Sequence, residues 1–370
     1  MDSIYKMNRE TSAVHNRSTV IYLISTQGPL TQIQIAEQTK LRLSTVSNIV
    51  RDLVEMGLIR DAGRAVTKKV GPKNLLFEIS PRSIWSSALI LGASERKLCI
   101  MSGAGHIISQ EVFPVDQGIK AFLKKFPDYL SAHLKRHDLE LKRGAGLTVG
   151  VPGMVDSRQG IVLKSLPLDL ENYPLSRLLK DEFPFDITVM RDAACGAYAE
   201  KYLGVAHGID NFIYCIAIPG SKSSSNKKCY SFGIAIVIDG QLYGGFNSTA
   251  GEIDAALIPS NYPWEDQGGG KSEKCGVELR KSIDFLSEKM ASLCNLLDPQ
   301  AVVLCMDDLL IHQDAFKLFQ DGILKRRIEH AGLPFQILRS SLGWDGFLQG
   351  AALKSLHFGL QKSVERKMGL

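Results

Sequence analysis

The sequence predicts an α/β protein in which an N-terminal winged helix-turn-helix precedes a two-lobed body. Three observations predict it. Residues 1–80 hold +4 of the chain's formal net charge of +5. The segment 28–63 shows helix–turn–helix periodicity and is followed by two strands with a basic tip. From residue 86 onward, short apolar runs alternate with helical stretches in two similar halves. The boundaries expected from this pattern are 1–82 for the head and 83–370 for the body. Lobe one is expected at about 83–195 plus the C-terminal helix, and lobe two at about 196–345.

Composition limits the function classes. The chain has 370 residues, 45% apolar and 22% charged, enough for two or three packed domains. No apolar run reaches the ~18 residues that span a bilayer, and the polar start has no secretory leader pattern, so a cytoplasmic protein with no membrane partner is expected. The seven cysteines are scattered without a CxxC pair and read as buried small hydrophobes in a reducing compartment. A local basic bias on a neutral body points to a polyanion partner.

In the head, Val20, Leu23 and Ile24 fall at helical spacing, and Gly28-Pro29 stops that helix. Thr31 is placed to cap a second helix, TQIQIAEQT. After the turn 40–43, Ser44 is expected to cap a third helix. There Val46, Ile49, Val50, Leu53 and Met56 form one buried stripe, and Gly57 ends the helix. Arg42 precedes it, and Ser44, Thr45, Ser47, Asn48 and Arg51 are its polar residues. These are the short or planar hydrogen-bonding types that read base edges from a helix in a major groove. Arg51 is also spaced to pair with Glu55 on its own face. Two strands follow, joined by a tip whose Arg64, Lys68 and Lys69 suit phosphates or a minor groove. Double-stranded DNA is the expected partner.

In the body, residues 86–114 read as an antiparallel meander, 118–135 as a helix and RGAGLTVGVP as a strand ending in a turn. FDITVMRDAACGAYAEKYLG is a strand running into a helix with Arg191 and Asp192 at the joint. A second strand set contains an Asp239-Gly240 hairpin. It is interrupted by the polar, basic insert 221–228, and it precedes a long helix and the strand AVVLCM.

The segment 28–63 with VGPKNLLFEISP resembles the winged head of ROK-family regulators. GVPGMVD (150–156), DITVMRDAACGAYAE (186–200), IVIDGQLYGG (236–245), AGEI (250–253), NLLDPQAVVL (295–304) and GWDGFLQGAAL (343–353) are similar to the family's body motifs. The resemblance implies an actin-like, ribonuclease H-like ATPase-type body with a cleft between its lobes. It also implies a sequence-specific transcription regulator, most often a repressor, working as a homodimer or higher homo-oligomer on a pseudo-palindromic operator.

Measured against a family kinase, the chain departs at each nucleotide-holding element. The first phosphate loop falls at Ile90-Leu91-Gly92-Ala93-Ser94, without its acid and with one glycine gone. The second falls at Cys229-Tyr230-Ser231-Phe232-Gly233, where bulky side chains stand where backbone should meet phosphate. Cys305-Met306 replaces a Gly-Gly pair. Only Asp192 matches the catalytic aspartate, so no enzyme and no nucleotide cofactor are expected. The zinc motif is reduced to Cys275, with Ala255 at the histidine position, so no metal is expected. For an effector, the resemblance transfers Asp192, Glu252 and, by the looser match, Glu278, with Arg191 at an asparagine position. Arg191 would hold an acidic group of a sugar or sugar-acid effector, or else form a buried ion pair with Asp192 or Glu252. The rival readings are a diverged carbohydrate kinase and a ligand-independent regulator whose body only dimerises.

Overall fold

The structure is a computed structural model that describes residues 2–65, 75–219, 230–252, 277–305, 315–328 and 335–367. The chain opens with α1 (Asp2–Gln27), β1 (Leu30–Thr31), α2 (Gln32–Thr39), α3 (Leu43–Glu55), β2 (Ile59–Arg64) and β3 (Leu75–Ile79). The strands form a sheet in the order β1-β3-β2. Gly28, at φ +79°, turns the chain out of α1. Thr31 caps α2 in a reciprocal box. Its Oγ1 accepts from the Gln34 amide at 3.2 Å, and Gln34 Oε1 accepts from the Thr31 amide at 2.9 Å. Val46, Ile49, Val50 and Leu53 form the buried stripe of α3. Gly57, at φ +69°, lets the Leu58 amide reach back to the Leu53 carbonyl at 3.0 Å.

Ser44 is not the cap of α3. The helix begins two residues earlier, with extended Arg42 at the N-cap making no side-chain cap bond. The Arg42 carbonyl accepts the first helical bond, from Val46 at 3.1 Å, so Ser44 is already inside the first turn.

Lobe one follows as β4 (Trp85–Leu91), β5 (Glu95–Ser102), β6 (Ile107–Pro114), α4 (Ile119–Arg136) and β7 (Gly144–Val151). After these come β8 (Met154–Asp156), β9 (Ile161–Ser165), β10 (Leu170–Tyr173), α5 (Leu175–Lys180), β11 (Ile187–Arg191) and α6 (Asp192–Leu203). Lobe two contains β12 (Phe212–Pro219), β13 (Tyr230–Ile238), β14 (Gln241–Tyr243), α7 (Val277–Leu297), β15 (Ala301–Cys305), α8 (Ala315–Arg326) and β16 (Gln336–Arg339). The helix α9 (Asp345–Lys367) closes the chain.

The two large sheets share one plan. Lobe one runs β11-β7-β4-β5-β6 and lobe two β14-β13-β12-β15-β16. In each, the first strand pairs antiparallel with the second, the second antiparallel with the third, and the first parallel with the fourth. The fourth then pairs parallel with the fifth. This repeated ribonuclease H-like topology is the two-lobed α/β body that the sequence predicts. The small sheet β10-β9-β8, inserted after β7, was not among the predicted elements. The hairpin at Asp239-Gly240 forms with both residues at positive φ, 48° and 72°.

The helix α9 returns to lobe one. Ser86 Oγ donates to the Ala352 carbonyl at 2.8 Å, and Ser355 Oγ donates to the Ser87 carbonyl at 3.0 Å. One continuous apolar core runs from Val20 and Ile49 of the head through Ala88 and Phe212 to Leu360 of α9. Cys99, Cys195, Cys215, Cys294 and Cys305 are buried, as expected. Cys229, Cys275 and the insert 221–228 lie outside the described residues.

Candidate functional site

Two sites emerge, one on the head and one in the body. On the head, α2 and α3 meet through the left-handed Lys40 (φ 56°) and extended Arg42. Burial of the α3 stripe turns the other face outward, so Arg42, Ser44, Asn48 and Arg51 are exposed. Thr45 and Ser47 are half-buried. Ser47 Oγ donates to Gln32 Oε1 at 2.8 Å, which braces α3 against α2. The Arg51 side chain is 65% exposed and sits 3.9 Å from Asp52 and 4.0 Å from Glu55. Pairs so exposed contribute little and are readily exchanged for another anion. Asp52 has a stronger partner in Arg17 of α1, whose Nε donates to it at 3.2 Å and which also forms an ion pair with it. This bond fixes α3 to α1. Arg64 ends β2, exposed, beyond the bulge at Gly63 (φ +100°). Lys68 and Lys69, which the sequence assigned to a basic tip, lie outside the described residues.

In the body, β4, β7 and β11 run parallel and deliver their C-terminal ends to one side of lobe one. Arg191 ends β11 and is buried. Its Nη1 donates to Glu252 Oε1 at 2.7 Å and its Nη2 to the Ala250 carbonyl at 2.5 Å. Both acceptors follow β14 of lobe two, so the guanidinium ties one lobe to the other. Asp192 opens α6, and its Oδ1 accepts from the Ala193 amide at 2.7 Å. Burial pushes the Asp192 carboxyl up to about 6; the Ala193 amide and the Arg191 charge oppose that shift, and Glu252 adds to it. Glu252 is one of the two carboxylates that the sequence offered Arg191 for an ion pair, and the two are paired here. Glu278 lies in the first turn of α7, and its side chain is outside the described ones, as is Ala255. The Ala250 carbonyl was not anticipated, because a backbone acceptor leaves no residue-type signal.

The loop after β4 is occupied by its own backbone, the Gly92 amide donating to the Glu95 carbonyl at 2.9 Å. Residues 230–233 lie in the β13 ladder opposite 216–219, and a side chain at Gly233 would press on Ile216 and Ala193. Met306 lies outside the described residues. Among the described residues, no group of His, Cys, Asp or Glu could hold a metal ion, and no helix is long and apolar enough to cross a membrane.

Fold and site together define a two-lobed α/β protein of ribonuclease H-like plan carrying a winged-helix head. A family model described as the ROK family matches residues 87–276, and one described as the MarR family matches residues 15–61. The chain belongs to the ROK family. The N-acetylglucosamine repressor of Shigella flexneri is 24% identical over 239 residues, covering 64% of this chain and 56% of that protein. The chain thus matches little more than half the length of that relative. The xylose repressor of Bacillus subtilis is 20% identical over 363 residues, covering 89% of this chain and 91% of that one. Among solved structures, a ROK family transcriptional regulator, a homologue of the E. coli MLC protein, superposes with a TM-score of 0.72 at 16% identity. It covers 95% of this chain and 98% of that one. The ROK hexokinase from Thermus thermophilus superposes with a TM-score of 0.58 at 20% identity, over 73% of this chain and 97% of that one. Those two likenesses speak for the fold.

Proposed function

We propose that the protein is a cytoplasmic, sequence-specific DNA-binding transcription regulator, a repressor, whose head is residues 1–82 and whose body no longer transfers phosphate. One observation carries the reading. The polar face of α3, with Arg42, Ser44, Asn48 and Arg51, is exposed while its apolar face is buried in the head. The helix is therefore presented as a major-groove reader requires. The names of the repressor relatives support it. Two copies of the chain would set two such helices on successive major grooves of a pseudo-palindromic operator.

Selection of bound sites from a random duplex pool with the purified protein tests this. An enriched inverted repeat is the expected result. A pool that stays unenriched at low and moderate salt, with the protein folded, removes the proposal.

The loss of phosphoryl transfer rests on the self-bonded turn at Gly92 and on the strand at 230–233. Asp192 alone cannot hold a nucleotide. An ATP titration that leaves the melting curve unchanged is expected, and ATP-dependent sugar phosphorylation abolished by Asp192→Asn would restore the kinase reading. In the cleft, an effector with hydroxyls and an acidic group would take Arg191 from Glu252, freeing the carboxylate to accept from the hydroxyls. A sugar acid at 100 times its dissociation constant would stabilise the fold by about 2.7 kcal/mol. A melting temperature insensitive to sugars, sugar phosphates and sugar acids would leave the body as a scaffold only.

A further inference from the structure

A serine, a histidine and a glutamate line up where α4 lies over the edge of lobe one's sheet. Ser109 and Glu111 stand two residues apart in β6, so both face the same side of the sheet. Phe113, next in that series, packs on Phe122 and Tyr129, which sets that side beneath α4. His133 lies in the last turn of α4 and is 2% exposed. Its Nδ1 meets Glu111 Oε2 at 2.6 Å, and its Nε2 meets the Ser109 hydroxyl at 2.7 Å. A carboxylate only accepts, so Nδ1 carries the proton. The neutral ring is left with Nε2 as an acceptor, and the Ser109 hydroxyl donates to it. Arg136 lies 3.6 Å from the same carboxylate oxygen and gives Glu111 a second partner. A nucleophile, a base and a group that orients the base thus stand in series.

The surroundings leave the serine open to a reactant. Ser109 is half-buried, whereas the histidine behind it is sealed. Beside it the ladder slips: Ile100 of β5 faces Ser109 and Met101 faces Ile107, so Ile108 is an extra residue. Such bulges re-aim side chains and gather at sheet edges and next to active sites. Among the described residues, β6 has no strand on its outer side, so the amides it turns outward have no ladder partner. They are the donors available to a developing oxyanion.

We propose that Ser109, His133 and Glu111 form a hydrolytic site, at which Ser109 takes the acyl group of a carboxylic ester and water then removes it. His133 Nε2 takes the hydroxyl proton as Ser109 Oγ bonds to the ester carbonyl carbon. The bond from that carbon to the alcohol oxygen breaks, and the alcohol leaves with the proton. Water then attacks the acyl-serine, giving a proton to Nε2, and Nε2 returns it to Oγ as the carboxylic acid departs. Glu111 holds the ring in place and offsets the charge it gains in each step. The site uses none of Arg191, Asp192 or Glu252 and nothing of the head. It goes beyond the regulator reading and stands or falls independently of it.

The test is acyl transfer from p-nitrophenyl acetate to the purified full chain. Release of p-nitrophenolate in step with acetylation of Ser109, read by mass spectrometry of the digested protein, is expected. Slower turnover follows as the acetyl group is hydrolysed. Ser109→Ala is expected to abolish both the mark and the release above the buffer rate. His133→Gln removes the base and is expected to slow acetylation by about 10²-fold or more. Glu111 acts through His133 and is a positioning residue. Glu111→Gln is expected to slow acetylation, and Glu111→Asp, which keeps the charge, to recover part of the rate. That pair decides the matter if His133→Gln does not fold. Acetylation confined to lysines, an unchanged rate in Ser109→Ala, or equal rates in the parent and both Glu111 variants overturns the proposal. The network then does no more than satisfy a buried histidine. An acetyl group that stays on Ser109 overturns the hydrolytic step. A fluorophosphonate, from whose phosphorus Oγ displaces fluoride, reads the nucleophile without turnover. Labelling of Ser109 that is undiminished in His133→Gln also overturns the site.

Discussion

Asp192 carries a pH dependence that can be worked out with its sign. Its folded-state carboxyl is raised to about 6 from an ordinary 3.8, chiefly by burial. The native state therefore holds a proton that the unfolded chain has already released between those values. Stability falls as pH rises through that window, by up to about 3 kcal/mol for a shift of this size. Asp192→Asn is expected to flatten the fall and to melt higher than the parent at neutral pH. A parent melting temperature that climbs from pH 4 to 6, or an unaltered slope in the variant, would contradict the burial account. Arg51 is the other residue whose role is separable. Its acid neighbours hold it only at 3.9 and 4.0 Å. If it reads a base, Arg51→Ala should flatten discrimination at one base pair by about 1–3 kcal/mol. Competition binding with site variants measures this, and an unchanged preferred site would return Arg51 to its role as a partner of Glu55.

Among the elements, α6 has the most constraints on it. It opens at Asp192 and packs along α9 so closely that a Cβ at Gly350 would meet the Cys195 carbonyl and the Ala199 backbone. Near its end, the buried Glu200 carboxylate accepts from Val205, Ser340, Ser341 and Leu342, which pins the loop before α9. Gly350→Ala should therefore force the two helices apart, at a cost of about 1–3 kcal/mol. A melting temperature equal to that of the parent would show that the crossing yields cheaply. The sequence made α6 legible because a β-branched strand stops at Arg191 and an alanine-rich run begins at Asp192. It made the meander legible because β4, β5 and β6 are apolar runs of seven or eight residues separated by short turns, and the hairpin because Asp239-Gly240 marks its turn. The β8, β9 and β10 strands have three to five residues each, too few for a period to register. At the site, Arg191, Asp192 and Glu252 were legible as motif positions. That Arg191 turns both its terminal nitrogens to lobe two was not, because the pairing depends on where residues 250 and 252 arrive in space.

At the scale of the molecule, the head is built onto the body at one seam. Tyr22 of α1 and Tyr202 of α6 share a hydroxyl hydrogen bond of 2.5 Å. His357 of α9 lies against both rings, 5.6 Å from Tyr22 and 5.0 Å from Tyr202, and its Nδ1 meets the Tyr198 hydroxyl at 2.8 Å. Burial pushes the His357 imidazole down to about 3, so it is neutral at the seam. Ten residues of helix separate Tyr202 from Asp192, or about 15 Å. The cleft and the head thus grip opposite ends of one rigid element. Any change in lobe closure that shifts α6 must move or strain the seam. Removing the hydroxyl pair with Tyr22→Phe and Tyr202→Phe keeps the rings and their packing while deleting one hydrogen bond, about 1 kcal/mol. Each single variant leaves one half-buried hydroxyl without its mate, so the double variant should be less damaged than the sum of the singles. Amide exchange then reports what the bond does. If α6 holds the head, exchange in α1, α2 and α3 should quicken in the variants while β12 and β15 of lobe two stay protected. Unchanged exchange in the head, with the same loss of overall stability, would mean that its own core of Val46, Ile49, Val50 and Leu53 holds it, and that movement of α6 does not reach the helix that faces DNA.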